Sequence, residues 1–307
     1  MYRLHIAIAD LEPPASGEVD GLPRLPTLER LCARADVRAG PRDWRLWALS
    51  RLGCPVGTET PALARFLAEQ QGLEVHARTW FVLTPLHLVA GLSTVHHHAA
   101  GPVLLDPTEA RALAVALTAD FGDEQVAFYA VGALVLMGIV GALLVSTQDP
   151  APLAGRDLAD AAARGPDAQR LVRLGGEFEL WLHGRRLTGR DGRVVHALHP
   201  WGHGPGLVTP ATVSPRLLTT DPFLVAAQGA SLAANAALDV WSMADLLAQG
   251  HSFHEADAIW AQPLRARLRD GEISSVELHV AGRTFAITAR QRLRFYRTVR
   301  PWWEQFS

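Results

Sequence analysis

The run Val194-Val195-His196-Ala197-Leu198-His199-Pro200-Trp201-Gly202-His203-Gly204-Pro205-Gly206 turns an apolar, strand-like stretch into a glycine-rich loop holding three imidazoles and an indole. Glycine lets a backbone approach a ligand closely, His ligates metals or moves protons near neutral pH, and Trp supplies a flat apolar wall. The reading is a strand over Val194 to Leu198 that opens into a binding loop. With helical stretches before and after it, this strand belongs to an α/β fold, a mixed β-sheet flanked by helices. The expected ligand-binding residues are His199, Trp201, Gly202, His203 and Gly204, joined by His183 from the preceding helix. Successive side chains of a strand point to opposite faces, so His196 and His199 face apart unless Pro200 has already ended the strand. His199 and His203 meet more easily, across the glycine turn.

Outward from this loop, Leu4 to Ala9 reads as a buried strand ending at Asp10, followed by a loop rich in Pro, Gly and acid. Helices are expected from Thr27 to Arg34, Trp44 to Leu52 and Pro61 to Gln71, so residues 1–75 form a mainly helical part. Residues 76–307 form the α/β main part, with a soft boundary that a single domain also accommodates. Strand character runs from Val75 to Leu105. Asp106-Pro107-Thr108-Glu109 has the logic of a helix start: an Asp cap, Pro at the first position and Glu three residues after the cap. Further helices are expected after Gly165-Pro166-Asp167, around Leu224 to Ala236 and over Ala256 to Arg269. A hairpin of Val276 to Val280 and Thr284 to Thr288 turns on Ala281-Gly282.

A chain of 307 residues, 49% hydrophobic, can bury a large core. Its net charge of -2 lacks the electrostatic footprint of a nucleic-acid binder. All 29 basic residues are Arg, which excludes a Walker A loop, a Schiff-base or pyridoxal-phosphate lysine and the kinase ATP lysine. Cys32 and Cys54 lack metal or redox spacing and read as reduced structural thiols. The N-terminus has no signal-peptide pattern, so the expected compartment is the cytoplasm. Val126 to Val145 carries no charge over 20 positions, the length of a membrane-spanning helix, yet its glycines and β-branched residues equally describe buried strands. As a hairpin it is also a candidate surface for a homodimer.

Several phrases, taken in order, resemble the RpfE-type regulatory protein family, described as cofactor-independent phosphoglycerate-mutase-like. They are Leu25-Pro26-Thr27-Leu28-Glu29-Arg30-Leu31, Thr84-Pro85-Leu86-His87-Leu88, Ala154-Gly155-Arg156-Asp157, Gly165-Pro166-Asp167-Ala168 and Leu182-His183, then Trp201-Gly202-His203-Gly204, Trp260-Ala261-Gln262-Pro263-Leu264 and Arg294-Phe295-Tyr296-Arg297. Where such proteins carry an Asn-Glu pair in the central helix and Asn before the Trp-Gly loop, this chain has Gly176-Glu177 and Val195-His196. The mutase label implies kinship with alkaline-phosphatase-like enzymes, which use two metal ions held by Asp and His and a Ser or Thr nucleophile. Under that resemblance Asp10 stands for the first metal carboxylate and Thr27 lies in the nucleophile-like phrase. No Ser-Asp-His-Gly and no suitable Asp-x-x-x-His pair accompanies them.

The resemblance therefore implies a degenerate alkaline-phosphatase-like core in a cytoplasmic regulatory or small-ligand-binding protein with no catalytic residues. The expected partner is a small anionic ligand or a protein. The alternative is a metal-dependent phosphoester mutase or hydrolase, with Zn or Mn on Asp10, His199 and His203; a third reading is a membrane-attached interaction protein using Val126 to Val145. Elsewhere, His96-His97-His98 reads as an exposed hairpin tip and His251, His254, Glu255 and Asp257 as solvated helix capping. The Arg290 to Arg300 tail, interleaved with aromatics, reads as a terminal helix whose Arg stems lie along its rings, or as a grip for a small phosphate or carboxylate.

Overall fold

The computed structural model describes residues 2–11, 13, 22–55, 60–91, 94–219, 221–228, 231–294 and 296–306. Phe295 of the tail phrase lies outside the described residues. The chain opens with β1 (Tyr2–Ile8), α1 (Pro26–Arg34), β2 (Asp36–Ala39) and α2 (Trp44–Leu52). Its middle holds α3 (Leu63–Gln70), β3 (Arg78–Leu86), β4 (Leu88–Ala90), β5 (Val95–His97), α4 (Pro107–Phe121), β6 (Val126–Val131), β7 (Leu134–Val140), α5 (Ala168–Arg185) and β8 (Ala197–Trp201). The last third carries β9 (Val213–Leu217), α6 (Pro222–Ala227), β10 (Ser231–Trp241), α7 (Met243–Ala248), α8 (Gln262–Arg269), β11 (Ile273–Val280), β12 (Arg283–Thr288) and α9 (Trp302–Phe306).

Contacts divide the chain into two units, Met1–Pro55 with Pro210–Ser307, and Val56–Thr209. The cuts fall after residues 55 and 209, where the sequence reading put one near 75. The reason is pairing: β1 lies between β10 and β11, strands from the far end of the chain.

The first unit is built on a six-stranded mixed sheet ordered β2-β12-β11-β1-β10-β9. β11, β1, β10 and β9 run parallel, while β12 and β2 are antiparallel additions at one edge. On one face of β1, Leu4, Ile6 and Ile8 join Leu28 of α1, Leu264 of α8 and Trp302 of α9 in a single apolar cluster. The helix expected around Leu224 to Ala236 is not what forms. α6 ends at Ala227, and Ser231–Trp241 is a strand paired with both β1 and β9. Its Ala-rich sequence favours a helix locally, but pairing on both sides outweighs a propensity difference of a few tenths of a kcal/mol per residue. The hairpin at Ala281-Gly282 forms as expected, with both turn residues at positive φ (48° and 76°), the geometry of a tight primed turn.

The second unit has a four-stranded antiparallel sheet, β6-β7-β3-β8, and the small β4-β5 hairpin. Residues 126–140 are the β6-β7 hairpin, so most of the charge-free run is strands, and among the described residues no helix is long and apolar enough to cross a membrane. Val135, Leu136, Met137 and Ile139 are completely buried. α4 and α5 cover one face, where Leu113, Leu117, Phe178 and Leu182 meet Phe81, Leu83 and Met137. The start of α4 has the capping box read from the sequence: Asp106 accepts from Thr108 and Glu109 N–H, and Glu109 reaches back to the Asp106 N–H at 2.7 Å.

Candidate functional site

β8 is shifted from its expected position, running through Pro200 to Trp201 instead of ending at Leu198. Pro200 is tolerated because β8 is an edge strand, where a missing N–H costs no ladder bond on the outer side. Trp201 faces inward and donates from Nε1 to Thr84 Oγ1 at 2.6 Å, a bond that satisfies the indole inside the core. Gly202 has φ +80°, and its carbonyl accepts from the Ala64 N–H. A side chain on Gly204 would meet the Thr60 carbonyl oxygen at 2.3 Å. These glycines therefore serve close packing of the loop against the segment before α3 and the start of α3. His203 is half-buried against Phe81, 5.4 Å between ring centres, and burial lowers its pKa. Thus Trp201, Gly202, His203 and Gly204 close a corner of the second unit.

The opening lies one residue earlier. His199 and Pro200 wall a cleft of about 310 Å³ between β8, α5 and the segment 157–163. Its other walls include Leu171, Gly175 and Gly176 of α5, with Asp157 and Glu179 as the carboxylates. His199 Nε2 lies 3.0 Å from the Gln148 carbonyl and so donates to it, leaving Nδ1 with its lone pair. Burial pushes the His199 pKa down to about 4, so the ring is neutral at physiological pH. Burial alone raises Glu179. Two segments that wall or flank this cleft also hold buried polar atoms with no hydrogen-bond partner among the described residues, His97 Nε2 and Thr147 Oγ1. His97 is 3% exposed and near enough to His199 to lower its pKa further.

His183 is exposed on the last turn of α5, where it is one of the smaller influences that lower the pKa of His196. His196 instead belongs to a cluster of imidazoles: His87 lies 4.6 Å from it and 5.2 Å from His98. The Leu88 N–H donates to His196 Nδ1 and the Ala100 N–H to His98 Nδ1, so both rings carry their proton on Nε2 and neither is placed to ligate a metal through that atom. Desolvation comes first among the causes lowering both. His96 turns aside to Thr94 Oγ1 at 2.7 Å.

The pieces that resemble a phosphoryl-transfer site belong to the first unit, and each is already engaged. Asp10 follows β1, where its carboxylate accepts from Ser242 Oγ–H at 2.9 Å and from the Met243 N–H at 2.7 Å, capping α7. Asp245 is raised by desolvation, then by the negative charges of Asp10 and Asp221. Thr27 opens α1, but its N–H donates to both oxygens of Asp257 at 2.9 and 3.1 Å, and the Leu28 N–H donates to Oδ1 at 2.9 Å. Asp257, expected from the sequence as solvated local capping, caps a helix 230 residues away and is 6% exposed. No local pattern announces such a cap, because its partner comes from packing. Among the described residues, no three His, Cys, Asp or Glu side chains converge as metal ligands. Asp10 is held by Ser242 and the Met243 N–H, His199 by the Gln148 carbonyl and His203 against Phe81, so the described residues do not fit Zn or Mn on these three.

No family model and no curated protein matches the chain. Among solved structures it is similar to a cofactor-independent phosphoglycerate mutase from Thermoplasma acidophilum DSM 1728, at 12% identity over 94% of this chain and 89% of that one, with a TM-score of 0.35. A superposition at that level carries no assignment of family or activity. The fold itself is a mixed α/β architecture, read directly from its sheets and helices.

Proposed function

We propose that the protein is a regulatory, small-ligand-binding member of the phosphoglycerate-mutase-like class that its sequence resembles, and that it performs no turnover. The observation carrying this reading is the Asp257 carboxylate on the first N–H groups of α1. Free N–H groups at a helix start are a ready anion site, and a phosphoryl group attacked by Thr27 would have to use them. Here a buried, tethered carboxylate occupies them at two of the first positions. A phosphate approaching would meet a fixed negative charge in place of donors.

The ligand-binding half of the proposal rests on the cleft beside His199, whose walls combine small and apolar residues with Asp157, Glu179 and a neutral imidazole. That is the usual composition of a small-molecule site: apolar walls and a few polar groups that fix orientation. The test has two parts. With Mn²⁺, Zn²⁺ or Mg²⁺ present, p-nitrophenyl phosphate and the phosphoglycerates should show no conversion above buffer. Metal-stimulated turnover that disappears in Thr27→Ala would establish the metal-dependent phosphoester enzyme instead. Ligand-observed NMR of a fragment set should then find binders whose signals are lost in His199→Ala, and a set whose every binder ignores that substitution removes the cleft as the site.

A further inference from the structure

The first unit holds a second cavity, about 210 Å³, between α1, α8 and the end of β12. Its floor is apolar, made by Leu31, Leu268, Ile287 and Ala289. Its rim is cationic: Arg30 and Arg34 are one turn apart on α1, and Arg265 and Arg269 are one turn apart on α8. Among the described residues no Asp or Glu lines it. Arg30 and Arg265 have no ion-pair partner among the described residues. Arg269 pairs with Asp270, but both side chains are exposed, so that contact exchanges readily with a ligand. Like charges at i and i+4 destabilise a helix by a few tenths of a kcal/mol per pair, and here two helices present such pairs to one opening. An anion seated between them would turn that repulsion into attraction.

We propose that this cavity binds a small amphipathic anion, a phosphate monoester or carboxylate with a short apolar body. The charged head would lie against the Arg30 and Arg265 guanidiniums, with Arg34 and Arg269, both already engaged, beside them; guanidiniums match such groups with forked, bidentate hydrogen bonds. The apolar body would fill the floor. A cavity of about 210 Å³ lies below the usual range for drug-sized ligands, which limits the guest to metabolite size. Thr27 also lines this cavity, but its N–H is held by Asp257, so the inference rests on the arginine rim and the apolar floor and not on Thr27 chemistry or the cleft beside His199.

The experiment is calorimetric titration with hexyl phosphate, inorganic phosphate and hexanol as probes. Hexyl phosphate should bind, and the other two at least tenfold more weakly, because each offers only half of the complementarity. The double variant Arg30→Ala/Arg265→Ala removes exposed charges only and should weaken hexyl phosphate about tenfold or more. Ala289→Leu fills the floor without removing charge and should weaken it similarly at an unchanged melting temperature. Absence of binding to the unmodified protein, or equal binding to the double variant, overturns the proposal. So does undiminished binding to a folded Ala289→Leu variant, which would leave only surface charge as the attraction. Cosedimentation with anionic vesicles that hexyl phosphate fails to compete away would assign the arginines to a lipid surface and equally overturn it.

Discussion

The start of α1 and the cleft beside His199 are both places where a chain of this kind is equipped to hold a ligand, and they have opposite fates. At α1 the protein answers its own need: the Asp257 carboxylate satisfies the Thr27 and Leu28 N–H groups, and Asp10 does the same for α7. Beside His199 the need is left open, with a cavity and nearby buried polar atoms that have no hydrogen-bond partner among the described residues. The difference teaches that residue types associated with chemistry do not mark a site by themselves. What matters is whether their hydrogen-bonding capacity is already spent inside the fold.

The largest effect that would test this contrast is expected from Asp257→Ala. It strands two backbone donors at a buried helix start, at one to three kcal/mol each, so chemical denaturation should show a loss of about 4 kcal/mol. Sulfate or phosphate should recover part of that loss by occupying the vacated donors, whereas recovery by neither would show that Asp257 does not stand in for an anion. Next comes pH. Burial holds His279 in the first unit and His199 in the second down to about 4, from an ordinary value of 6.5. Each ring binds its proton more weakly folded than unfolded, so its contribution is whole above pH 6.5 and drains away as pH falls toward 4. For the fully buried His279, which contacts Thr284 Oγ1 and the Pro41 carbonyl, the share is about 3 kcal/mol. Denaturation curves at several pH values should show that fall, and His279→Gln should flatten it. The smallest effect is expected from Trp201→Phe, which keeps a buried ring but loses the bond to Thr84 Oγ1, at about 1 kcal/mol. Ligands of the His199 cleft should bind this variant unchanged; a large loss would bring the Trp201 corner back into the site.

Much of the fold is legible locally. The capping box at Asp106 and Glu109, the α2 boundaries Trp44–Leu52 and the Ala281-Gly282 turn all follow from short-range signals that structure then obeys. Legibility fails where distant partners decide. Ser231–Trp241 is alanine-rich and reads as helix, yet it fills the slot between β1 and β9. β8 continues through Pro200 because its outer edge is unpaired, a fact of sheet order and not of sequence. In the candidate site, the loop at Trp201 to Gly204 was visible as unusual composition, but only His199 of the expected set lines the cleft. Gly175, Gly176 and the small residues at 159–163 left a faint trace as a run that cannot fill space with side chains.

By itself the sequence determined what each residue can offer: Arg as every strong cation, no lysine chemistry, apolar runs long enough for buried strands, and carboxylates and imidazoles with lone pairs and protons to place. Only the tertiary structure decided where those capacities are consumed. A backbone donor at one end of the chain is satisfied by a carboxylate 230 residues away, because close packing chooses partners by space and leaves sequence separation to loop entropy, which grows slowly with length.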